Sequence, residues 1–161
     1  MRALLILALA TAASAQDPDV SHLVGRPYAG LPGGWAGVGG ALLTSPDGQD
    51  YALSAFRNVD GGSVLFTYDR IDRMVDGRYP VSTVLAALAI DDVREGETAS
   101  SFACRWGDEL AVAVLGEQTY VEGDDLFRWG PVRRAWRLDR DAARFEPVAA
   151  EAVECPDEYA P

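Results

Sequence analysis

Short apolar runs separated by turn signals dominate the chain from residue 40 onward. Val64, Phe66 and Tyr68 alternate with polar positions, a period of two that is typical of a strand with one buried face. Turns such as 45–48, Ser-Pro-Asp-Gly, supply the backbone angles needed between strands. The pattern predicts a mostly β fold, a single antiparallel β-sandwich or small barrel of about seven or eight strands.

Three segments fit this pattern less well. Residues 81–90 fit a helical stripe as well as a strand, and we favour the strand. The polar segment 70–80 predicts a loop or an irregular edge, and 116–131 predicts a longer excursion that carries three aromatic residues.

The first 15 residues differ from all that follow. Arg2 precedes the apolar run 3–10, and the small residues 13–15, Ala-Ser-Ala, then give way to polar sequence. The run is too short for a membrane-spanning helix, which needs roughly 20 apolar residues, and it predicts a signal peptide cleaved after Ala15. The expected organisation is a signal peptide over 1–15, a Gly/Pro-rich lead over 16–40 and a β domain over 41–161. We therefore expect a periplasmic or secreted protein with no membrane insertion after cleavage.

The charge balance narrows the classes of partner. The chain has 14 basic residues, all of them arginine, against 25 acidic ones, for a net charge of −11. Nucleic-acid binding requires the opposite sign, because its affinity comes from cationic neutralisation of phosphate. The charge favours a basic protein partner or a divalent cation, although plain solubility explains it more simply.

The two cysteines, Cys104 and Cys155, form an even number in a chain expected to be exported. This composition predicts a disulfide between them. Neither the spacing nor additional ligands fit a redox or metal pair. Closing a loop of this size stabilises the folded state by roughly 4 kcal/mol in the chain-entropy model.

Catalytic chemistry has few candidates. His22 is the only histidine, lies in the Gly/Pro-rich lead, and is interpreted as an exposed loop residue. We assign no catalytic residue and no cofactor. The acidic residues Asp91, Asp92 and Glu95 are weak candidates for Ca²⁺, which prefers several oxygen ligands, although solvated turns explain them more simply.

The tryptophans divide into two groups. Trp106 and Trp136 lie within predicted strands and are expected in the core. Trp35 and Trp129 lie beside glycine in loop-like sequence, where aromatic side chains also serve as binding contacts. With the acidic pair Asp124 and Asp125, Trp35 and Trp129 form our candidate binding surface.

The C-terminal third has a recognisable pattern. Residues 135–139, Ala-Trp-Arg-Leu-Asp, are followed by 144–148, Arg-Phe-Glu-Pro-Val, and by 153–155, Val-Glu-Cys, with Cys104 upstream. In these segments the chain resembles small uncharacterised exported proteins of Gram-negative bacteria. The resemblance implies an exported domain and transfers no functional residue.

The sequence leaves three classes of function open. We favour an exported, non-enzymatic binding protein, for example an inhibitor of a basic secreted enzyme such as a lysozyme, because acidic loops would steer association. The first alternative is a hydrolase that uses a carboxylate pair, with or without Ca²⁺. The second alternative is a structural component of the cell envelope.

Overall fold

The computed structural model describes residues 19–29, 33–46 and 48–159. The predicted signal peptide, 1–15, lies outside these residues. The described residues form twelve strands and contain no α-helix, only two short 3-10 helices at Ser21–Leu23 and Ala150–Ala152. The strands are β1 Pro27–Ala29, β2 Trp35–Thr44, β3 Asp50–Asn58, β4 Val64–Val75, β5 Tyr79–Ile90, β6 Glu97–Ser100, β7 Arg105–Trp106, β8 Val112–Val121, β9 Leu126–Asp139, β10 Arg144–Val148, β11 Val153–Glu154 and β12 Glu158–Tyr159.

The strands form two main antiparallel sheets. The first sheet has the order β1-β5-β4-β3-β2, and the second has the order β10-β9-β8-β6, with β12 added beside β9. Neither sheet closes into a barrel, and β11 and β7 form a separate two-stranded ribbon. The predicted mostly β, antiparallel architecture is confirmed, in its open sandwich form.

The core lies between the two sheets. Phe66 of β4, Leu115 of β8 and Trp136 of β9 belong to one buried cluster, and the rings of Phe66 and Trp136 are 6.1 Å apart. Tyr68 and Leu138 continue this layer. Alternation along each strand places these side chains inward and the intervening ones on the outer faces of the sheets.

The outer face of the first sheet is covered by the N-terminal cover, residues 19–29. Its Val20 and Leu23 pack against the buried cluster that contains Phe56 and Leu65. Its backbone joins the edge of the sheet, where Gly25 N donates to Val84 O over 2.8 Å. The cover therefore shields side chains that would otherwise be exposed on this face.

The outer face of the second sheet is covered by the C-terminal cover, residues 148–157. Val153 and Cys155 pack against a buried cluster that contains Cys104 and Val112. The predicted Cys104–Cys155 disulfide is formed and spans 51 residues of sequence. This bond attaches the C-terminal cover covalently to the segment between β6 and β7, which packs on the second sheet.

Several details differ from the sequence-based expectation. The boundary expected at residue 40 falls inside β2, and β1 also lies in the predicted lead. Segments 70–80 and 116–131 are mostly paired strand. Each forms the end of a long hairpin, β4–β5 or β8–β9, in which the two strands satisfy their backbone groups by pairing with each other. Residues 81–90 form strand, as predicted.

The glycines of β2 have a packing role that composition did not indicate. A Cβ atom at Gly39 would overlap the ring of Phe102, which lies against this strand. Glycine here permits close approach of an aromatic ring to a sheet edge, a use of glycine in strands that differs from turn formation.

Candidate functional site

The end of the β8–β9 hairpin holds part of the predicted binding surface. Residues 122–125 connect the two strands, and Gly123 and Asp125 adopt positive φ angles of 100° and 50°. Glycine tolerates such angles freely, and aspartate is among the residues that tolerate the left-handed region best. The sequence Glu-Gly-Asp-Asp therefore favours this tight connection.

An aromatic pair lies directly beside the turn. Tyr120 and Phe127 face each other across the hairpin, with ring centroids 5.5 Å apart at 59°. The Tyr120 hydroxyl donates to Asp125 Oδ1 over 2.9 Å, and the Tyr120 residue is 49% exposed. Tilted aromatic pairs at this distance are favourable, and the hydrogen bond restrains a ring that solvent still reaches.

The carboxylates of the turn are not neutralised. Glu122, Asp124 and Asp125 are exposed, and no arginine in the described part of the chain forms an ion pair with them. The nearest arginine along β9, Arg128, is engaged by Asp157 over 3.2 Å. The hairpin end therefore presents concentrated negative charge next to the exposed Tyr120 ring. We call residues 117–129 the acidic-aromatic end.

Trp129 lies at the base of this end and is half-buried. It packs on the buried cluster of Cys104 and Val112 beneath the C-terminal cover. The same side chain borders a cleft of about 570 Å³ that is also lined by Arg133 and Glu151. Trp129 thus connects the acidic-aromatic end to the body of the second sheet.

Trp35 is placed elsewhere. It begins β2, is half-buried and packs beside the N-terminal cover against Phe56 and Leu65 of the first sheet. Trp129 packs on the outer face of the second sheet, on the opposite side of the sandwich. The structure brings Trp129, Asp124 and Asp125 onto one hairpin and leaves Trp35 outside that surface.

The acidic residues proposed for Ca²⁺ lie in the loop between β5 and β6. All three are exposed, and Asp92 accepts hydrogen bonds from Arg133 over 2.9 Å and from Arg134 over 3.1 Å. Burial raises the pKa of Asp92, but the bonds and charges of the two arginines outweigh it and hold that pKa below its usual value. Over residues 19–29, 33–46 and 48–159, no group of three His, Cys, Asp or Glu side chains is placed to hold a metal ion.

Asp92 belongs to an ion-pair network that the sequence did not reveal. Arg133 also donates to both oxygens of the buried Glu97, over 2.5 and 2.8 Å. The hydrogen bonds from Arg133 hold the pKa of Glu97 below its usual value, against the opposing effect of burial. Arg133 lies at a register shift of β9, and such bulges redirect a side chain, here towards β6. The network links β9 to β6 and to the loop before β6, and its pairs are separated by 36 or more residues, so spacing gives no signal.

A second buried carboxyl holds the N-terminal cover. Asp69 Oδ2 accepts hydrogen bonds from the Tyr28 hydroxyl over 2.8 Å and the Thr67 hydroxyl over 2.7 Å. Asp69 is 1% exposed, and its Oδ1 atom has no hydrogen-bond partner. Burial raises the pKa of Asp69 to about 6, although both hydrogen bonds oppose the shift. Because the Asp69 carboxyl is buried, we interpret its role as structural.

Two further features of the described residues concern membrane spans and the single histidine. Among the described residues, no helix has the length and apolar character required to cross a membrane. His22 lies exposed in a short 3-10 helix of the N-terminal cover.

Comparison with known proteins adds no further identification. No family model, no curated protein and no solved structure matches the chain.

Proposed function

We propose that this protein is an exported binding protein that docks a basic protein partner on its acidic-aromatic end. The observation that carries the proposal is the uncompensated turn of Glu122, Asp124 and Asp125 beside the exposed Tyr120 ring. An inhibitor of a basic secreted enzyme such as a lysozyme is the most specific form of this function. The disulfide is compatible with export, because such bonds persist in oxidising compartments.

The charge of the whole molecule supports this direction of binding. A net charge of −11 attracts cationic proteins over long range and raises the rate of encounter. At the acidic-aromatic end the negative charge is concentrated, because three carboxylates lie within the four residues 122–125. Steering of this kind weakens steeply as salt is added.

The aromatic pair of Tyr120 and Phe127 supplies an apolar contact area, which charge alone does not provide. Exposed tyrosine is enriched among residues that dominate binding energy, since it buries a large apolar area and keeps a polar atom for hydrogen bonding. Tyr120 is already restrained by Phe127 and by Asp125, so less conformational entropy is lost when a partner covers it. We expect the acidic turn to govern association and Tyr120 to govern dissociation.

The test measures association of the purified protein with a basic lysozyme by stopped flow at low and at physiological salt. The variant Glu122→Gln/Asp124→Asn/Asp125→Asn removes the turn charges, and asparagine tolerates the positive φ at position 125. We expect its association rate constant at low salt to fall at least tenfold. Tyr120→Ser is expected to leave that rate nearly unchanged and to speed dissociation at least tenfold.

A matched control removes the same charge from other turns. Asp60→Asn/Asp76→Asn/Asp108→Asn neutralises three exposed carboxylates, one of which, Asp76, also has a positive φ, of 53°. The control is expected to slow association no more than about threefold, through net charge alone. Equal slowing by the two triple variants would refute docking at the acidic-aromatic end. Absence of binding at low salt to lysozyme and to other basic proteins would refute the function itself.

A further inference from the structure

One edge of the first sheet is open along part of β5. β1 pairs only with residues 81–83 of that strand, and the backbone of Val84 bonds to Gly25 and Arg26. Beyond this point residues 86–90 pair with β4 on one side, and Leu85 lies at a register shift between the two strands. On the other side, no backbone hydrogen bond joins them to any described part of the chain. This edge carries backbone groups available to an added strand.

A groove runs beside the open edge. Its floor is formed by 85–89, one wall by the N-terminal cover and the other by 143–145 of the second sheet, around a volume of about 440 Å³. Val24 lines the groove and is 46% exposed, and Phe145 lines the opposite wall. Apolar walls around an open strand edge are the recognised arrangement for binding an extended peptide by strand addition.

The second wall is an open edge as well. β10 pairs only with β9 among the described strands, and Arg144 and Phe145 of β10 line the groove. Arg144 pairs with Glu146 over 2.5 Å, a carboxylate that it shares with Arg137, and lies 3.6 Å from Asp139, so two carboxylates oppose its charge. The groove therefore lies where the two sheets of the sandwich approach each other without joining.

We propose that this groove binds an extended segment of a cationic polypeptide as an added β-strand along residues 85–90. The backbone chemistry of the edge requires an extended chain, and the apolar lining requires uncharged side chains at its centre. Charge identifies the occupant, because exposed Asp19 lines the groove and exposed Asp91 follows the open edge. Basic residues at the ends of the segment complement these carboxylates.

A second copy of the chain fits this groove poorly. Each copy carries a net charge of −11, which opposes self-association, whereas a cationic chain is attracted. The groove is distinct from the acidic-aromatic end and the inference does not rest on the proposed function. Either surface can fail its test while the other stands.

The probe is the blocked peptide Arg-Val-Thr-Val-Thr-Val-Arg, measured by fluorescence anisotropy and by hydrogen exchange. We expect saturable binding together with at least tenfold slower exchange of backbone amides within 85–90. A peptide with both threonines replaced by proline lacks two backbone donors and is expected to bind at least tenfold more weakly. An Asp-flanked version, Asp-Val-Thr-Val-Thr-Val-Asp, tests the requirement for positive charge and is also expected to bind at least tenfold more weakly.

The matched variants are Val24→Arg and Val59→Arg. Both valines are exposed, but Val24 lines the groove and Val59 lies in the turn between β3 and β4. Val24→Arg is expected to weaken binding of the Arg-flanked peptide at least tenfold, and Val59→Arg less than twofold. Equal binding by both variants, or binding without protection of 85–90, would overturn the proposal. Protection of 85–90 that grows with protein concentration in the absence of peptide would assign the groove to a second copy instead.

Discussion

The two outer faces of the sandwich are covered in different ways. The N-terminal cover is attached by the three-residue β1, by backbone bonds at Val84 and by the hydrogen bond from Tyr28 to Asp69. The C-terminal cover is attached by the Cys104–Cys155 disulfide and by the two-residue pairing of β11 with β7. One cover is therefore held by a titratable buried group and the other by a covalent bond.

The difference shows how a short terminal segment overcomes its own conformational entropy. Ordering each residue costs about 1–2 kcal/mol, so a few hydrogen bonds do not suffice without apolar burial or a cross-link. Each cover also supports one proposed binding surface. The C-terminal cover packs beside Trp129 at the base of the acidic-aromatic end, and the N-terminal cover forms a wall of the groove along β5.

The largest expected effect is loss of the disulfide. Cys104→Ala/Cys155→Ala is expected to lower the free energy of unfolding by about 4 kcal/mol, because the unfolded chain loses a constraint that spans 51 residues. Urea unfolding of the variant and the native protein measures the difference. Reducing agent should destabilise the native protein and leave the variant unchanged, and a loss below about 1 kcal/mol would contradict the importance of the covalent attachment.

The N-terminal cover should respond to pH. The pKa of Asp69 is raised to about 6 in the folded state, above the ordinary value of 3.8 for the unfolded chain. Its contribution to stability is therefore fully present below pH 3.8 and is lost as pH rises through 6, by up to about 3 kcal/mol. Urea unfolding between pH 4.5 and 8 measures this decline. Below pH 4 the trend reverses, since Glu97 and Asp92 have lowered pKa values and lose stabilising interactions when protonated.

Asp69→Asn provides the control for this pH dependence. An amide keeps an acceptor for Tyr28 and Thr67 but does not ionise, so the variant should show little change in stability between pH 4.5 and 8. At pH 8 it is expected to be more stable than the native protein. An unchanged slope in the variant would show that another group causes the decline.

A smaller effect is expected from Tyr28→Phe. The change removes one of the two donors to Asp69 Oδ2 while keeping the ring, and should cost about 1–2 kcal/mol at pH 7. It should also shift the midpoint of the pH-dependent loss upward, because the Tyr28 hydrogen bond lowers the pKa of Asp69. In the Asp69→Asn background the hydrogen bond is no longer charge-assisted, so the cost should shrink, and a full cost there would show that the charge of Asp69 does not strengthen the bond.

The smallest effect concerns the exposed ion pair of the C-terminal cover. Arg105 and Glu154 are 2.5 Å apart, but their side chains are 58% and 71% exposed. Pairs this exposed contribute little because water and salt screen them. Glu154→Gln is expected to change the free energy of unfolding by less than about 0.5 kcal/mol, measured by urea unfolding. A loss near that of the disulfide variant would mean that the ion pair, and not the bond, fixes this cover.

The sequence predicts the features that depend on local pattern. Alternating apolar positions identify the strands of the core, and the cysteine count identifies the disulfide. The Gly/Pro-rich lead over 16–40 was predicted to precede the β domain, yet β2 begins at Trp35, because pairing with β3 and packing beneath Phe102 depend on distant residues. Segment 116–131 was predicted as an excursion because its polar side chains give no strand pattern. In the structure its two strands pair through their backbones.

The candidate site was predicted only in part. Asp124, Asp125 and Trp129 lie on one hairpin as the local sequence suggested, whereas Trp35 packs on the other sheet. Composition does not identify partners far apart in the chain. The pairing of Tyr28 with Asp69 spans 41 residues, and that of Arg133 with Glu97 spans 36, and only the sheet register brings them together.

Docking on the acidic-aromatic end can be tested by hydrogen exchange of the native protein with and without a basic lysozyme. We expect slower exchange over residues 117–129 at low salt, a footprint that fades as salt is raised, and no change over the end of the β4–β5 hairpin at 73–80. That second hairpin is the internal control, because its end is also exposed but carries Arg73 and Arg78. Protection at 73–80 without protection at 117–129, or no protection at either end in a formed complex, would contradict docking on the acidic-aromatic end.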